Sequence, residues 1–177
     1  SLEEDVKRVI DRVREAVKKI NDEVEKELRK SEKAVEDWNR RLEEIHDRAR
    51  RELEKAGIDE ELRKREKREH ERSEEELRRS TEELKKKHDE IRKRLEDSTR
   101  EAKKTLEEVE RELRETGDKD KLEELKRRLK RLLDEHRKRV EELKEENKRL
   151  NKEHEKKVED NVRRVRELLK RVEDRRR

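Results

Sequence analysis

The chain of 177 residues contains no cysteine, proline, methionine, phenylalanine or tyrosine, one tryptophan and only two glycines. Without cysteine there are no disulfides and no thiolate metal sites, and nothing points to a redox compartment. With a single aromatic side chain there is little to stack on bases, which argues against single-stranded nucleic-acid recognition. Apolar residues make up 24% of the chain and the mean hydropathy is −1.87, a range in which disorder is a live reading. No apolar run approaches the roughly 18 residues a membrane helix needs, and no signal-peptide pattern is visible. A start at Ser1 without methionine suggests processing or removal of a tag. Soluble recombinant expression in the cytoplasm is expected, with no natural compartment implied.

What the chain has is charge, at 64% of residues with a net of only +4. Residues 1–56 and 57–116 are each slightly acidic, whereas 117–177 hold 24 basic and 17 acidic residues, a net of +7. Such asymmetry can attract nucleic acid. The simpler reading is that a basic third segment complements two mildly acidic ones, and no nucleic-acid partner is expected.

With proline absent and glycine scarce, only two places interrupt a helical pattern. Gly57-Ile58-Asp59 offers a glycine helix end and an Asp cap, and Thr116-Gly117-Asp118 repeats the device. Asp120-Lys121-Leu122-Glu123 and Ser1-Leu2-Glu3-Glu4 both read as capping boxes. The spacing predicts three helices, over about 2–56, 60–116 and 120–175, each roughly 80–85 Å long at 1.5 Å per residue. Loops this short force antiparallel neighbours. The expected fold is all-α: a single up-down-up, antiparallel three-helix bundle spanning 1–177.

The seam supports that reading. In the first helix, positions 6, 10, 13, 17, 20, 24, 28, 31, 35, 38, 42, 46, 49, 53 and 56 recur at steps of three and four, and all but Ser31 and His46 are apolar. The second helix continues from 62 to 113 and the third from 122 to 172 at the same steps. No lysine or arginine occupies any seam position, in a chain that has 59 of them. A disordered chain or an isolated charged helix has no reason to keep such a stripe clear. Five steps span 18 residues, so Val6, Val24 and Leu42 align, as do Leu122, Val140 and Val158. That period is 3.6 residues, where a left-handed coiled coil needs 3.5, so nearly straight helices are expected.

All five histidines fall on this stripe. Folding the chain about its two loops places His136 level with Ser98 and Thr99, and His154 level with Ser80 and Thr81. His88 falls level with Asn147, near Ser31 and Asn151, and His46 with His70, Ser73 and Asn161. A neutral imidazole has one donor and one acceptor, and Ser, Thr and Asn supply both complements. Each histidine is thus expected to meet a neutral partner on another helix, in layers that fix register among similar helices. Asn21 and Asn39 lie beside the seam and read as surface residues. Glu66 reads as a frayed seam position or a partner of His70. Trp38 reads as a core filler that doubles as a fluorescence probe.

This combination of Glu/Lys/Arg-filled surfaces, Gly-Asp loops, capping boxes and single polar residues in an aliphatic seam resembles de novo designed helical bundles with buried hydrogen-bond networks. Among these are histidine-network designs made to respond to pH. The resemblance covers the whole chain and implies an engineered molecule without evolved activity, although this seam is poorer in apolar residues than such designs. The function expected is therefore a structural scaffold, with no enzyme activity and no cofactor. Two alternatives are a bundle destabilised by histidine protonation and a helical interaction module that self-associates. A monomer needing no partner is expected, and a mass near 22 kDa by light scattering would sink the oligomer reading. As a metal site, only His46 and His70 are placed to meet, with Glu66 or Glu43 adding oxygen. Ser and His occur together, but nothing suggests an oxyanion hole or a substrate pocket.

Overall fold

The computed structural model describes residues 1–56 and 60–176; the reading of Gly57-Ile58-Asp59 as a capped turn lies outside the described residues. Three α-helices run α1 Leu2–Ala56, α2 Glu60–Glu115 and α3 Lys119–Arg176, of 55, 56 and 58 residues. There is no strand among the described residues, and no helix is long and apolar enough to cross a membrane.

The helices start and hold for local reasons. Ser1 caps α1: its hydroxyl accepts from the Glu4 amide at 3.3 Å, and its carbonyl accepts from the Asp5 amide at 3.1 Å. Acidic side chains fill the first turn of α1 and of α2, where they face the positive end of the helix dipole. Along the exposed faces, arginines pair with carboxylates three or four residues away, as Arg78 does with both Glu75 and Glu82. The third helix begins one residue earlier than the sequence suggests. Its first helical bond runs from the Leu122 amide to the Asp118 carbonyl at 3.0 Å, so Asp118 is the cap and Asp120 lies in the first turn.

The turn at 116–118 differs from the expected glycine helix end. Gly117 does not adopt the left-handed backbone that only glycine tolerates well, and a β-carbon there would meet nothing within 4 Å. Gly117→Ala should therefore raise stability by about 0.4–1 kcal/mol, because alanine restricts the unfolded chain more than glycine does. Thermal unfolding of the two proteins checks this, and a lowered midpoint would mean the turn needs glycine after all.

Tertiary contacts gather into two compact units, and every helix contributes to both. The first comprises Ser1–Arg29 with His88–Asn147, the second Lys30–Lys87 with Lys148–Arg177. Ion pairs give the helix directions in each. In the first unit Arg14 meets Glu110 and Glu25 meets Arg92, so α1 and α2 run antiparallel, while Glu23 meets Lys144. In the second unit Arg41 pairs with Glu159 and Glu52 with Arg176, so α1 and α3 run parallel. This is an all-α three-helix bundle.

Its core is the uncharged stripe. One apolar cluster in the first unit joins Val6, Ile10, Val13 and Val17 to Leu106, Val109 and Leu113 and to Leu122, Leu125 and Leu129. The second unit joins Leu42, Ala49 and Leu53 to Leu62 and Leu77 and to Val158, Val165, Leu168 and Val172. Of the seam positions with described side chains, only Ile20, Trp38, His70 and Leu150 are partly exposed; the rest are buried. Val162 and Leu169 flank the stripe and are buried too, so α3 covers the core with a wider face than the other helices.

Candidate functional site

The polar residues of the seam form layers inside the bundle. In the first unit His136, 2% exposed, places Nδ1 2.8 Å from the Ser98 hydroxyl and Nε2 2.9 Å from Asn21 Oδ1. The Asn21 amide donates to Thr99 Oγ1 at 2.8 Å, and the Thr99 hydroxyl donates to the Leu95 carbonyl at 2.8 Å. This chain fixes the proton positions. Because the one Thr99 proton is spent on a backbone carbonyl, Thr99 can only accept, so Asn21 turns its NH2 to Thr99 and its oxygen to the imidazole. Nε2 must then carry the proton, and Nδ1 accepts from Ser98. The sequence leaves the tautomer open; here a backbone carbonyl three hydrogen bonds from the imidazole decides it.

The second unit holds the same device. His154, 1% exposed, lies with Nδ1 2.7 Å from the Ser80 hydroxyl and Nε2 2.9 Å from Asn39 Oδ1, and the Asn39 amide donates to Thr81 at 3.1 Å. Each residue is 18 positions from its counterpart: Asn21 and Asn39, Ser98 and Ser80, Thr99 and Thr81, His136 and His154. Asn21 and Asn39 are thus not surface residues but the α1 arm of each layer. The signal that could have found them is this 18-residue spacing, identical to that of the two histidines. The Trp38 ring is half-buried with its centroid 6.2 Å from that of His154.

Burial pushes both His136 and His154 below the ordinary histidine value, since an imidazolium there would lose its hydration. The nearby cations Arg139 and Lys157, each three residues further along α3, act in the same direction.

Two further hydrogen bonds join polar residues on or beside the seam. In the first unit His88 donates from Nε2 to Asn147 Oδ1 at 3.1 Å. In the second, Asn151 donates to Ser31 Oγ at 2.6 Å while its own Oδ1 is buried without a hydrogen-bond partner.

The layer at His46 departs from the expected neutral chemistry. The Asn161 amide donates to the Lys157 carbonyl at 2.7 Å, so its oxygen accepts from Ser73 at 2.9 Å. Ser73 then accepts from His46 Nε2–H at 3.0 Å, which leaves His46 Nδ1 2.8 Å from the Glu66 carboxyl. Two lone pairs cannot face each other at that distance, so a proton lies between Nδ1 and Oε1. The buried pair is either imidazolium with carboxylate or imidazole with carboxylic acid; His46 is 1% and Glu66 3% exposed. Glu66 therefore partners His46, not His70, and it is a seated core residue rather than a frayed one.

His70 is not a neutral network member either. It is half-buried, with Nε2 3.1 Å from Glu43 Oε1 and 3.4 Å from Glu74 Oε1, and Arg50 Nη1 lies 3.3 Å from Nδ1. Its ring packs edge-on against His46 at 4.9 Å between centroids. The two histidines meet, but both nitrogens of His46 are committed to Glu66 and Ser73, so His46 offers no lone pair to a shared ion. Burial works against the Arg50 cation. Even so, its bond to Asp47 and the charges of Asp47, Glu66 and Glu43 hold it above the ordinary arginine value. The physical reason for the difference from the expectation is angular. His70 lies at the edge of the stripe, where solvent and surface carboxylates reach it.

No protein family, curated protein or solved structure compared with this chain matches it.

Proposed function

We propose that this chain is a designed structural scaffold, a single-chain three-helix bundle whose buried polar layers specify helix register and topology, without catalytic activity, cofactor or required partner. The observation that supports this reading is the duplicated layer. The same four residue types from the same three helices recur at an exact 18-residue translation, in opposite chain directions on α2 and on α1 and α3. Aliphatic helices of similar length can slide by a turn at little cost. A layer whose serine, asparagine and histidine donors find their partners on other helices makes a shifted register leave buried groups unpaired, at about 1–3 kcal/mol for each.

The test replaces the layers by aliphatic residues: Asn21→Leu, Ser98→Ala, Thr99→Val and His136→Leu, with the same changes at Asn39, Ser80, Thr81 and His154. The variant should stay helical and resist guanidinium at least as well, since replacing all partners together leaves none unpaired. It should lose uniqueness, giving mixed masses by light scattering and multiple amide resonances. A single 22.1 kDa species with one set of resonances would overturn the reading.

A second reading, favoured by the lowered His136 and His154, is a bundle that loosens in acid. The groove beside His136 carries Glu101, Glu135, Arg131 and Arg139, and that beside Ser80 carries Glu76, Glu83 and Lys157, so charges of both signs flank each layer.

A further inference from the structure

The geometry points to a divalent-metal site at Glu43, His70 and Glu74, distinct from the buried layers. Among the described residues these three side chains bring one ligand atom each to within 4.8 Å of one another. His70 and Glu74 are one turn apart on α2, and Glu43 comes from α1, so two elements hold the set. The His70 Nε2 distances of 3.1 Å to Glu43 and 3.4 Å to Glu74 matter. Donors bound to one zinc at 2.0–2.2 Å stand about 3.0–3.5 Å apart, the edge of a coordination polyhedron. The carboxylates and the imidazole therefore need little movement to close on an ion, with water completing the shell.

The neighbourhood favours a cation. Glu43, Glu74 and Asp47 are opposed locally by Arg50, which bonds Asp47 and approaches Glu43 at 3.7 Å. A groove lined by Glu43, Glu74, Leu77, Arg78 and Glu82 opens beside the cluster and gives an ion its path. Arg50 is the competitor. It lies 3.3–3.4 Å from both ring nitrogens of His70, in hydrogen-bond range of Nδ1. A metal on Nε2 requires the proton on Nδ1, and a guanidinium N–H cannot face it. Arg50 is 40% exposed along its side chain and keeps Asp47 as a partner, so it can withdraw. The class of ion is a first-row divalent cation that accepts one nitrogen and two oxygens, zinc foremost.

Zn²⁺ titrated into the intact chain by calorimetry at about pH 7.5 tests this. One equivalent should bind in the micromolar range. His70→Ala and Glu74→Gln should each weaken binding by at least tenfold, and Arg50→Ala should tighten it. His70, Glu43 and Glu74 are 16%, 49% and 60% exposed along their side chains, so these substitutions should leave the helical circular dichroism unchanged. Co²⁺ gives a second readout, a visible ligand-field band that His70→Ala abolishes. Failure to saturate below about 1 mM Zn²⁺, a free energy weaker than about −4 kcal/mol, overturns the proposal. So does an unchanged affinity in His70→Ala, which would place any bound ion elsewhere.

Discussion

Glu66→Ala should destabilise the bundle by about 3 kcal/mol, the lower end of the loss when one partner of a buried pair is removed. Glu66→Gln should cost no more than about 1 kcal/mol. The difference follows from the relay that begins at the Lys157 carbonyl. Asn161, Ser73 and His46 Nε2 are oriented in turn by it, so His46 Nδ1 always points at residue 66. Alanine leaves that nitrogen facing a void. Glutamine keeps the length of the side chain and turns an N–H toward a neutral Nδ1, which satisfies it without any shared proton. Guanidinium unfolding of the three proteins decides the matter. A loss below about 1 kcal/mol in Glu66→Ala would mean that the pair is not seated as described. Equal losses in the two variants would show that the charge on Glu66, not its hydrogen bond, is what His46 needs.

The guanidinium midpoint should also fall as pH is lowered from about 7.5 to 5, a window set by the ordinary histidine value near 6.5. Burial, aided by Arg139 and Lys157, holds His136 and His154 below that value in the folded state. The unfolded chain therefore takes up protons first. Stability is complete above about 6.5 and is lost as pH falls toward the lower folded values. The slope cannot exceed about 1.4 kcal/mol per pH unit for each histidine, which caps the loss at about 2 kcal/mol per site down to pH 5. Protonation also inverts Ser98 and Ser80, which now donate to Nδ1 and would have to accept from it. His136→Gln with His154→Gln retains a donor and an acceptor in each layer but takes no proton. The double variant should show a smaller drop in midpoint across the window, read as a difference so that its baseline stability cancels. The same drop in both proteins would sink the idea and move the acid response to other groups. Trp38, 6.2 Å from His154, offers an optical report on the second layer as it titrates.

The positions of the helices and of the core were legible before any coordinates. Val6, Leu28, Leu95 and Val140 lie on a stripe without lysine or arginine, and each is buried. Such legibility has a simple cause: one helical period accounts for most of the apolar residues, and no competing strand pattern interrupts it. Ser98 beside His136, Ser80 beside His154 and Asn147 beside His88 are likewise placed by loop length and the 1.5 Å rise.

Axial height was thus readable, and azimuth was not. Asn21 and Asn39 sit one residue after a seam position, and only the packing of α1 against α3 turns them inward to the imidazoles. His70 sits on the stripe by count, yet lies at its edge among Glu43, Glu74 and Arg50. Glu66 sits at a core position and is buried because His46 meets it there.

By itself, the sequence determined three helices, their directions, the buried stripe and its 18-residue repeat. These follow from local periodicity and short loops, which act along one dimension. Only the tertiary structure decided which nitrogen of His136 carries the proton, which histidine shares a proton with a buried carboxyl, and which carboxylates converge on His70. Those outcomes depend on side chains from three helices meeting at one height and one angle, where a single committed carbonyl orients every group bonded after it.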